Sequence, residues 1–282
     1  KRQETPIKTT RTTRTTRILR KTRKTRTPPQ IKTMTESLKA KLTELADRYE
    51  TEAFLAGDPS QFMHRYSTPH HQERAAFIAA ALSYGSRQQF LPRIEHLLTV
   101  DRVLGDGSGV PDTDDCFYRL HTNSMVHRML HTLDSAESQY GTLGGMMRQE
   151  RITTCLDAIR FITSFFAAHG ASDLIPKNAT SACKRVCMFM RWMVRDNSPV
   201  DLGLWADQID KSTLIMPMDT HVVQEARRLG LNNCRTTSMA SALRLTDTMR
   251  EVFPDDPTRA DFALFGLGVD GQPDKRQTDK RV

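Results

Sequence analysis

The chain has 282 residues and a formal net charge of +8, and this charge is distributed unevenly along the sequence. Residues 1–33 hold 12 basic residues and one acid, a net charge of +11, whereas residues 34–282 hold 29 basic and 32 acidic residues, a net charge of −3. The longest apolar run, residues 75–82, is far shorter than a membrane span. With 38% hydrophobic residues, composition excludes membrane-spanning, collagen-like and wholly disordered chains and leaves room for one large or two small cores.

Residues 1–33 form a basic tail of low complexity, which reads TTRTTRTTRILRKTRKTRT over 9–27. The tail lacks an apolar period and cannot bury enough surface to offset its ordering entropy, so we predict that it is disordered. Three interpretations stay open. The tail is an upstream extension without function, since an ordinary helix follows Met34; or it is an arm that binds phosphates; or it is an Arg-rich, acid-poor targeting peptide.

Helical periodicity dominates the chain after the tail. Leu38, Leu42 and Leu45 repeat at helical spacing in the first predicted helix. Residues 72–84 are Ala-rich and almost wholly apolar, which predicts a central helix that ends at Gly85. Further helices are predicted at 89–98, 115–121, 125–133, 151–168, 182–195, 219–230, 236–252 and 258–268.

Loops are predicted at 105–115, 169–181 and 196–213, the last with a short helix. Because alternating β-branched residues are scarce, almost no sheet is expected. The sequence therefore predicts an all-α domain over 34–270, with two helical lobes, followed by a polar tail at 271–282.

Metal ligation is only weakly indicated. The chain has five cysteines without a C-x-x-C pair, and buried free thiols are the better prediction for them: Cys116, Cys155, Cys183, Cys187 and Cys234. A metal site near Cys183 and Cys187 would need two more ligands. His64, His70 and His71 lie near Glu73 in the sequence, but they indicate a metal site as weakly as the cysteines do. No metal site is therefore predicted.

The segment 177–195 concentrates positive charge in an otherwise mildly acidic body. It contains five cations and no acid: Lys177, Lys184, Arg185, Arg191 and Arg195. Lys184, Arg191 and Arg195 share one face of the predicted helix. A basic helix that follows a polar loop can grip phosphate through its free N–H groups and its cations. The alternative is a solvated charged face beside an ordinary core stripe.

A second segment, 216–231, reads MPMDTHVVQEARRLGL. Pro217 fixes the approach to a helix, Asp219 or Thr220 is placed to cap its first turn, and Gly230 is placed to end it. Taken alone, the aspartate is adequately explained as a cap. Near the chain end Asp261 is likewise predicted to cap a helix.

Three strings resemble the helix-hairpin-helix DNA glycosylase superfamily. LIMPMDTHVVQEARRLGL (214–231) is similar to the segment that carries its aspartate, KRVCMFMRWM (184–193) to the helix that carries its lysine, and FIAAALSYGSRQQF (77–90) to its first core helix. Residues 35–270 more closely resemble a bacterial family, the domain of unknown function 2400. The matching strings include DPSQFMHRY (58–66) and PDDPTRADFALFGLGV (254–269).

The glycosylase resemblance implies roles for individual residues. Asp219 matches the aspartate that stabilises the oxocarbenium-like sugar as the base leaves. Lys184 matches the lysine that attacks the sugar and forms a Schiff base, for which its pKa must be lowered. The base must be flipped out of the helix, and Tyr84, Phe189 or Trp192 is expected to stack on it. The residues expected to bind nucleic acid are Lys177, Asn178, Arg185, Arg191, Arg195 and Arg87.

The chain departs from the superfamily at three places. The hairpin before the lysine helix reads IPKNATSACK and has no glycine. Lys184 and Asp219 are 35 residues apart, about twice the spacing of the superfamily, and residues 196–212 are expected to loop out. Only Cys234 follows residue 187, so no iron–sulfur cluster and no other cofactor is expected.

The resemblance therefore implies a helix-hairpin-helix glycosylase-like fold and a DNA-repair N-glycosylase, with or without lyase activity. A non-catalytic nucleic-acid-binding module of the same fold is the alternative, and a helical protein with another kind of partner is a third possibility. DNA is the expected partner. The protein is expected to be a cytoplasmic, nucleoid-associated monomer without membrane contact.

Overall fold

The computed structural model describes residues 34–100, 109–231 and 236–270, all within one compact unit, Thr33–Val282. The predictions on the basic tail, the polar C-terminal tail, Cys234 and the first part of the 105–115 loop lie outside the described residues. Four cysteines are described, all as free thiols. Cys155, Cys183 and Cys187 are buried as predicted, whereas Cys116 is exposed.

The described residues form ten α-helices and one two-stranded hairpin, so the prediction of a mostly helical chain is confirmed. The elements are α1 (Glu36–Tyr49), α2 (Pro69–Leu82), α3 (Arg87–Val100), β1 (Cys116–Tyr118), β2 (His121–Thr122), α4 (Asn123–Tyr140), α5 (Leu143–Gln149), α6 (Cys155–Ala168), α7 (Lys184–Val194), α8 (Thr220–Arg228), α9 (Met239–Met249) and α10 (Ala260–Asp270). Short 3-10 turns occupy Glu52–Leu55, Pro59–Arg65, Lys211–Thr213 and Pro257–Arg259. None of the helices in these ranges is long and apolar enough to cross a membrane.

Hydroxyl side chains start most of these helices. In each case a Thr or Ser oxygen accepts a backbone N–H from the first turn, which removes one unpaired donor and is worth about 1 kcal/mol. The capping residues are Thr35, Thr68, Thr122, Thr142, Thr154 and Ser238.

Helix α2 is central, as its composition predicts. Ten consecutive residues, from Glu73 to Leu82, are buried. The ring of Phe77 lies 5.0 Å from that of Phe166 on α6 and 5.3 Å from that of Phe189 on α7. Because α2 is enclosed by other helices, it holds the segments that precede and follow it in place.

Two local predictions are wrong. Residues 115–121 form the hairpin β1–β2 instead of a helix, and its register pairs Cys116 with Thr122 and Tyr118 with His121. Helix α5 begins Leu-Gly-Gly, a poor helix sequence, and was not predicted. It forms because a buried carboxylate, Glu73, accepts its first N–H groups at 2.5 and 3.1 Å.

Residues 196–213 do not loop out, contrary to the prediction. Val200, Asp201 and Trp205 are buried, and the Trp205 indole N–H donates to Glu73 at 2.8 Å. This segment is therefore part of the core that supports α7.

Candidate active site

A cleft of about 950 Å³ lies where the start of α7, the start of α8, the α2–α3 turn and the first turn of α10 meet. Both predicted catalytic residues, Lys184 and Asp219, line it. Two further carboxylates, Asp58 and Asp261, line the same cleft. The fold thus brings together one amine and three carboxylates from four separate parts of the chain.

Lys184 is the first residue of α7, and its side chain is largely enclosed. The residue before it, Cys183, has φ +46° and ψ +39°, a left-handed conformation that turns the chain sharply into the helix. The Lys184 Nζ lies 3.5 Å from the Ser83 carbonyl, and no carboxylate of the described residues is within ion-pair distance of it. Burial lowers the pKa of Lys184, and the nearby negative charges, chiefly that of Asp219, oppose this effect.

Asp219 is the N-cap of α8, as one interpretation of the sequence predicts. Its Oδ1 accepts the Val222 N–H at 2.7 Å, and its own N–H donates to the Pro217 carbonyl at 2.9 Å. The cap fixes the position of the carboxylate at the start of the helix. Capping and lining the cleft are therefore compatible roles for this side chain.

The sequence patterns did not identify Asp58 and Asp261 as site residues. Asp58 begins the turn Pro59–Arg65 through Oδ1, which accepts from the N–H and Oγ of Ser60 at 3.0 and 2.8 Å. Asp261 does not cap α10, contrary to the prediction, because the helix begins one residue earlier and the side chain instead pairs with Arg191. Burial raises the pKa of Asp261 to about 6.

One of the three predicted stacking residues lines the cleft. Tyr84 follows α2 and packs 4.9 Å from the ring of Tyr118, and the two hydroxyls each donate to the other residue's carbonyl at 2.9 Å. Burial raises the pKa of Tyr84 to about 12, so the phenol stays neutral. The other two predictions are wrong, because Phe189 and Trp192 are core residues with 1% and 0% exposure.

The predicted basic face of α7 does not exist as an exposed surface. Arg191 and Arg195 are each 2% exposed. Both pair with Asp201, and Arg195 also pairs with Glu50 and Asp256. The interpretation of these two arginines as nucleic-acid contacts is corrected: they form a buried ionic network that holds α7 against its neighbours.

The remaining predicted contact residues fall into two groups. Arg87 and Arg185 line the cleft. Arg87 pairs with Asp58 at 3.2 Å, and Arg185 donates to the Ala81 carbonyl at 2.5 Å and lies 5.3 Å from the Tyr84 ring. Lys177 and Asn178 are exposed in the loop before α7 and are not among the residues that line the cleft.

The hairpin β1–β2 lies against one rim of the cleft. Gly85 lines the cleft, and a Cβ at this position would come within 2.6 Å of the Arg119 guanidinium and 2.9 Å of the Tyr118 hydroxyl. Gly85 also has φ +85°, a left-handed conformation that glycine adopts without strain. Both the close contact and the backbone conformation therefore favour glycine at this position. At the hairpin tip Arg119 has φ +54° and Leu120 is 85% exposed.

No group of three or more His, Cys, Asp or Glu side chains suited to a metal ion is found in the described ranges. His64 instead pairs with the Val200 carbonyl at 2.8 Å, and His70 lies 3.4 Å from Glu137. The cofactor expectation stays a prediction.

A family model described as "Protein of unknown function (DUF2400)" matches residues 58–270, about three quarters of the chain. The chain belongs to this family. Comparisons with curated proteins and with solved structures found no match. The segment shared with the family contains the Lys184 amine and the three carboxylates of the cleft, and all of the lining residues except Phe54.

Proposed function

We propose that the protein is a DNA N-glycosylase that attacks the anomeric carbon of a nucleotide held in the cleft. The observation that carries the proposal is the placement of the Lys184 amine and the Asp219 carboxylate in one cleft with a largely enclosed amine. The resemblance to helix-hairpin-helix glycosylases assigns the same two residues to the nucleophile and to the stabilising carboxylate.

The chemistry follows from the environment of each group. Desolvation lowers the pKa of Lys184, which increases the fraction of neutral amine, and the neutral amine is the form that attacks an electrophilic carbon and forms a Schiff base. As the base departs, the sugar gains positive charge, and a fixed carboxylate such as that of Asp219 stabilises it without having to reorient.

The size and walls of the cleft suit a flipped nucleotide. About 950 Å³ is at the upper end of the range for small-molecule sites, so a base with its sugar and flanking phosphate can be accommodated. Tyr84 supplies an aromatic wall for the base, and Arg87 and Arg185 supply positive charge beside it.

The hairpin favours duplex DNA over a free nucleotide as the substrate. The Arg119 guanidinium lies near Gly85 of the cleft, and the next residue of the hairpin, Leu120, is an apolar side chain that is 85% exposed. Proteins that open a duplex commonly insert such a side chain between base steps while cations contact the phosphates. A free nucleotide would have no use for this feature.

The test is borohydride trapping on a panel of lesion-containing duplexes. The wild-type protein should form a covalent adduct, K184A should form none, and D219N should lose most base release while Asn keeps the helix cap. K177A is the matched control, since Lys177 is exposed and does not line the cleft, and it should behave as wild type.

An adduct that survives K184A would overturn the lysine assignment. If no lesion in the panel is released and binding nevertheless falls steeply with salt, the protein is the non-catalytic binding module. The glycine-free loop before α7 and the net charge of −3 outside the tail are the features that favour this second function.

A further inference from the structure

We propose that the groove between α3 and the hairpin β1–β2 binds the phosphodiester backbone of the DNA strand whose nucleotide enters the cleft. This inference rests on the proposed function, because it follows the same substrate from the cleft to the neighbouring phosphates. It gives a binding role to two arginines, Arg93 and Arg119, that neither the sequence patterns nor the glycosylase resemblance placed among the nucleic-acid contacts.

The groove has a volume of about 420 Å³ and is lined by residues of both elements. Gln89, Pro92 and Arg93 line it from α3, where their spacing of three and four residues puts them on one face of the helix. Tyr118 and Arg119 line it from the hairpin. Two guanidinium groups and an amide thus stand beside two rings, a set that suits a backbone in which charged phosphates alternate with apolar sugars.

The two arginines of the groove have no internal partners to give up. Arg93 and Arg119 are exposed, and neither side chain has an ion pair or a hydrogen bond with another described residue. In the cleft, by contrast, Arg87 pairs with Asp58 and Arg185 donates to a backbone carbonyl. A phosphate can therefore bind to both guanidinium groups of the groove without breaking an existing contact.

Acidic side chains line the cleft but not the groove. Asp58, Asp219 and Asp261 line the cleft beside its cations, whereas no Asp or Glu of the described ranges is among the residues that line the groove. An acidic side chain next to a phosphate either repels it or has to take up a proton, and both weaken binding. The phosphates of a bound strand are therefore better placed in the groove than in the cleft.

The hairpin connects the groove with the cleft. Arg119 lies against the cleft, since a Cβ at Gly85 would come within 2.6 Å of its guanidinium. The ring of Tyr118, which lines the groove, lies 4.9 Å from the ring of Tyr84, which lines the cleft. A strand with one nucleotide in the cleft can continue directly into the groove, and this continuity favours a DNA strand over an acidic protein segment as the occupant.

The test measures how tightly the full-length protein binds a duplex with an abasic-site analogue, over a series of salt concentrations. R93Q and R119Q should each weaken binding by about tenfold, the change expected when a charge-assisted hydrogen bond is lost. Each should also reduce the slope of log K against log salt by about 0.9, the value for one phosphate contact on a duplex. The basic tail is present in every variant, so its contribution cancels in the comparison.

R151Q is the matched control. Arg151 is exposed, has φ +54° as Arg119 does, and lines neither the cleft nor the groove. Its side chain also has no ion pair or hydrogen bond in the described part of the chain. R151Q removes the same charge at another place and should bind DNA like wild type. Thermal unfolding of all three variants should match wild type, because the substituted side chains are exposed and unpaired.

A second measurement locates the contact on the DNA. Duplexes are prepared with a single uncharged methylphosphonate linkage, placed in turn at each position beside the abasic-site analogue. At the linkage that lies in the groove, the neutral group should weaken wild-type binding and leave no further loss for R93Q or R119Q. At the other linkages the two losses should add.

The outcomes separate this proposal from the proposed function. Equal binding by wild type, R93Q, R119Q and R151Q, or additive losses at every linkage, overturns the assignment of the groove even if the protein releases bases. An acidic protein segment is then the better candidate for the groove. Loss of binding in R93Q and R119Q alone, with one non-additive linkage but no base release, supports the groove and overturns the glycosylase activity.

Discussion

Glu73 shows how one buried residue organises several elements. This fully buried carboxylate on α2 accepts the N–H groups of Leu143 and Gly144 at the start of α5 and the indole N–H of Trp205. Burial raises its pKa to about 7, and the three hydrogen bonds act against this rise. Together with the Thr142 cap, this side chain supports the start of α5, and it also ties the 196–213 segment to the core.

Replacing this carboxylate by an amide tests its role. Gln offers one acceptor oxygen to three donors, so E73Q should lower the free energy of unfolding by about 1–3 kcal/mol, the cost of leaving a buried donor unpaired. Chemical denaturation at constant pH would measure the change. E36Q, on an exposed residue of α1, is the control and should be neutral.

The same residue predicts a pH dependence with a definite sign. The pKa of Glu73 rises from 4.5 in the unfolded chain to about 7 in the folded protein, so the folded state holds the proton more tightly. The stability that this gives is complete below pH of about 4.5 and is lost as the pH rises through about 7. E73Q should lack this contribution, and a flat difference between the two denaturation series would contradict the interpretation.

The ionisable residues of the cleft differ in how well the sequence could identify them. Asp219 could be found because it lies within a contiguous string, and Lys184 because a resemblance supplied a comparison. Asp261 is 77 residues from Lys184 in the chain, and its pairing with Arg191 exists only after folding. The arginines of α7 misled the prediction because charge alone does not show whether a cation is solvated or paired.

At the scale of elements, long apolar or strongly periodic segments predicted secondary structure reliably, whereas short apolar runs did not. The apolar run of α2 correctly predicted a central helix. For residues 115–121 the sequence predicted a helix, but the structure has a hairpin. The hairpin depends on tertiary contacts that no local pattern encodes, such as the reciprocal hydrogen bonds of Tyr84 and Tyr118. Helix α5 was missed for the same reason, because its starting N–H groups bind a side chain 70 residues away.

The hairpin tip gives a prediction at this scale. If Leu120 opens the duplex, L120A should weaken binding to fully paired DNA by about tenfold, since unstacking a base step costs a few kcal/mol. Binding to a duplex with an abasic site should change much less, because less stacking has to be broken. Thermal stability should not change, given the 85% exposure of the side chain.

V269A is the matched control for this experiment. Val269 is the other large hydrophobic residue that is exposed in the described chain, at 47%, and it does not line the cleft. Titrations with fluorescently labelled duplexes would compare the variants. Equal losses on paired and abasic DNA would mean that the hairpin contributes general affinity and does not open the duplex.

At the scale of the whole molecule, the net charge of +8 is a poor guide to where DNA would bind. Residues 1–33 carry +11, yet the cleft and the hairpin lie in a part of the chain with net charge −3. In the described part of the chain, the arginines at or beside the cleft include Arg87, Arg119, Arg185 and Arg227. Affinity of the folded part is therefore expected to come from positioned contacts more than from overall charge.

Truncation separates these contributions. A chain that begins at Met34 should keep its preference for a lesion over normal DNA, while its non-specific affinity and the salt dependence of that affinity should fall. Binding isotherms at several salt concentrations would measure both. Complete loss of lesion preference on removal of residues 1–33 would mean that the tail is the binding element.

The ionic network beneath α7 gives a structural role to the segment between Lys184 and Asp219. The intervening chain carries Asp201 under α7, where it meets Arg191 and Arg195, before it returns to the start of α8. Removal of the Asp201 carboxylate would leave two enclosed guanidinium groups without their shared partner, which is far more costly than the loss of an exposed ion pair. The segment between the two cleft residues therefore stabilises α7 as well as connecting it to α8.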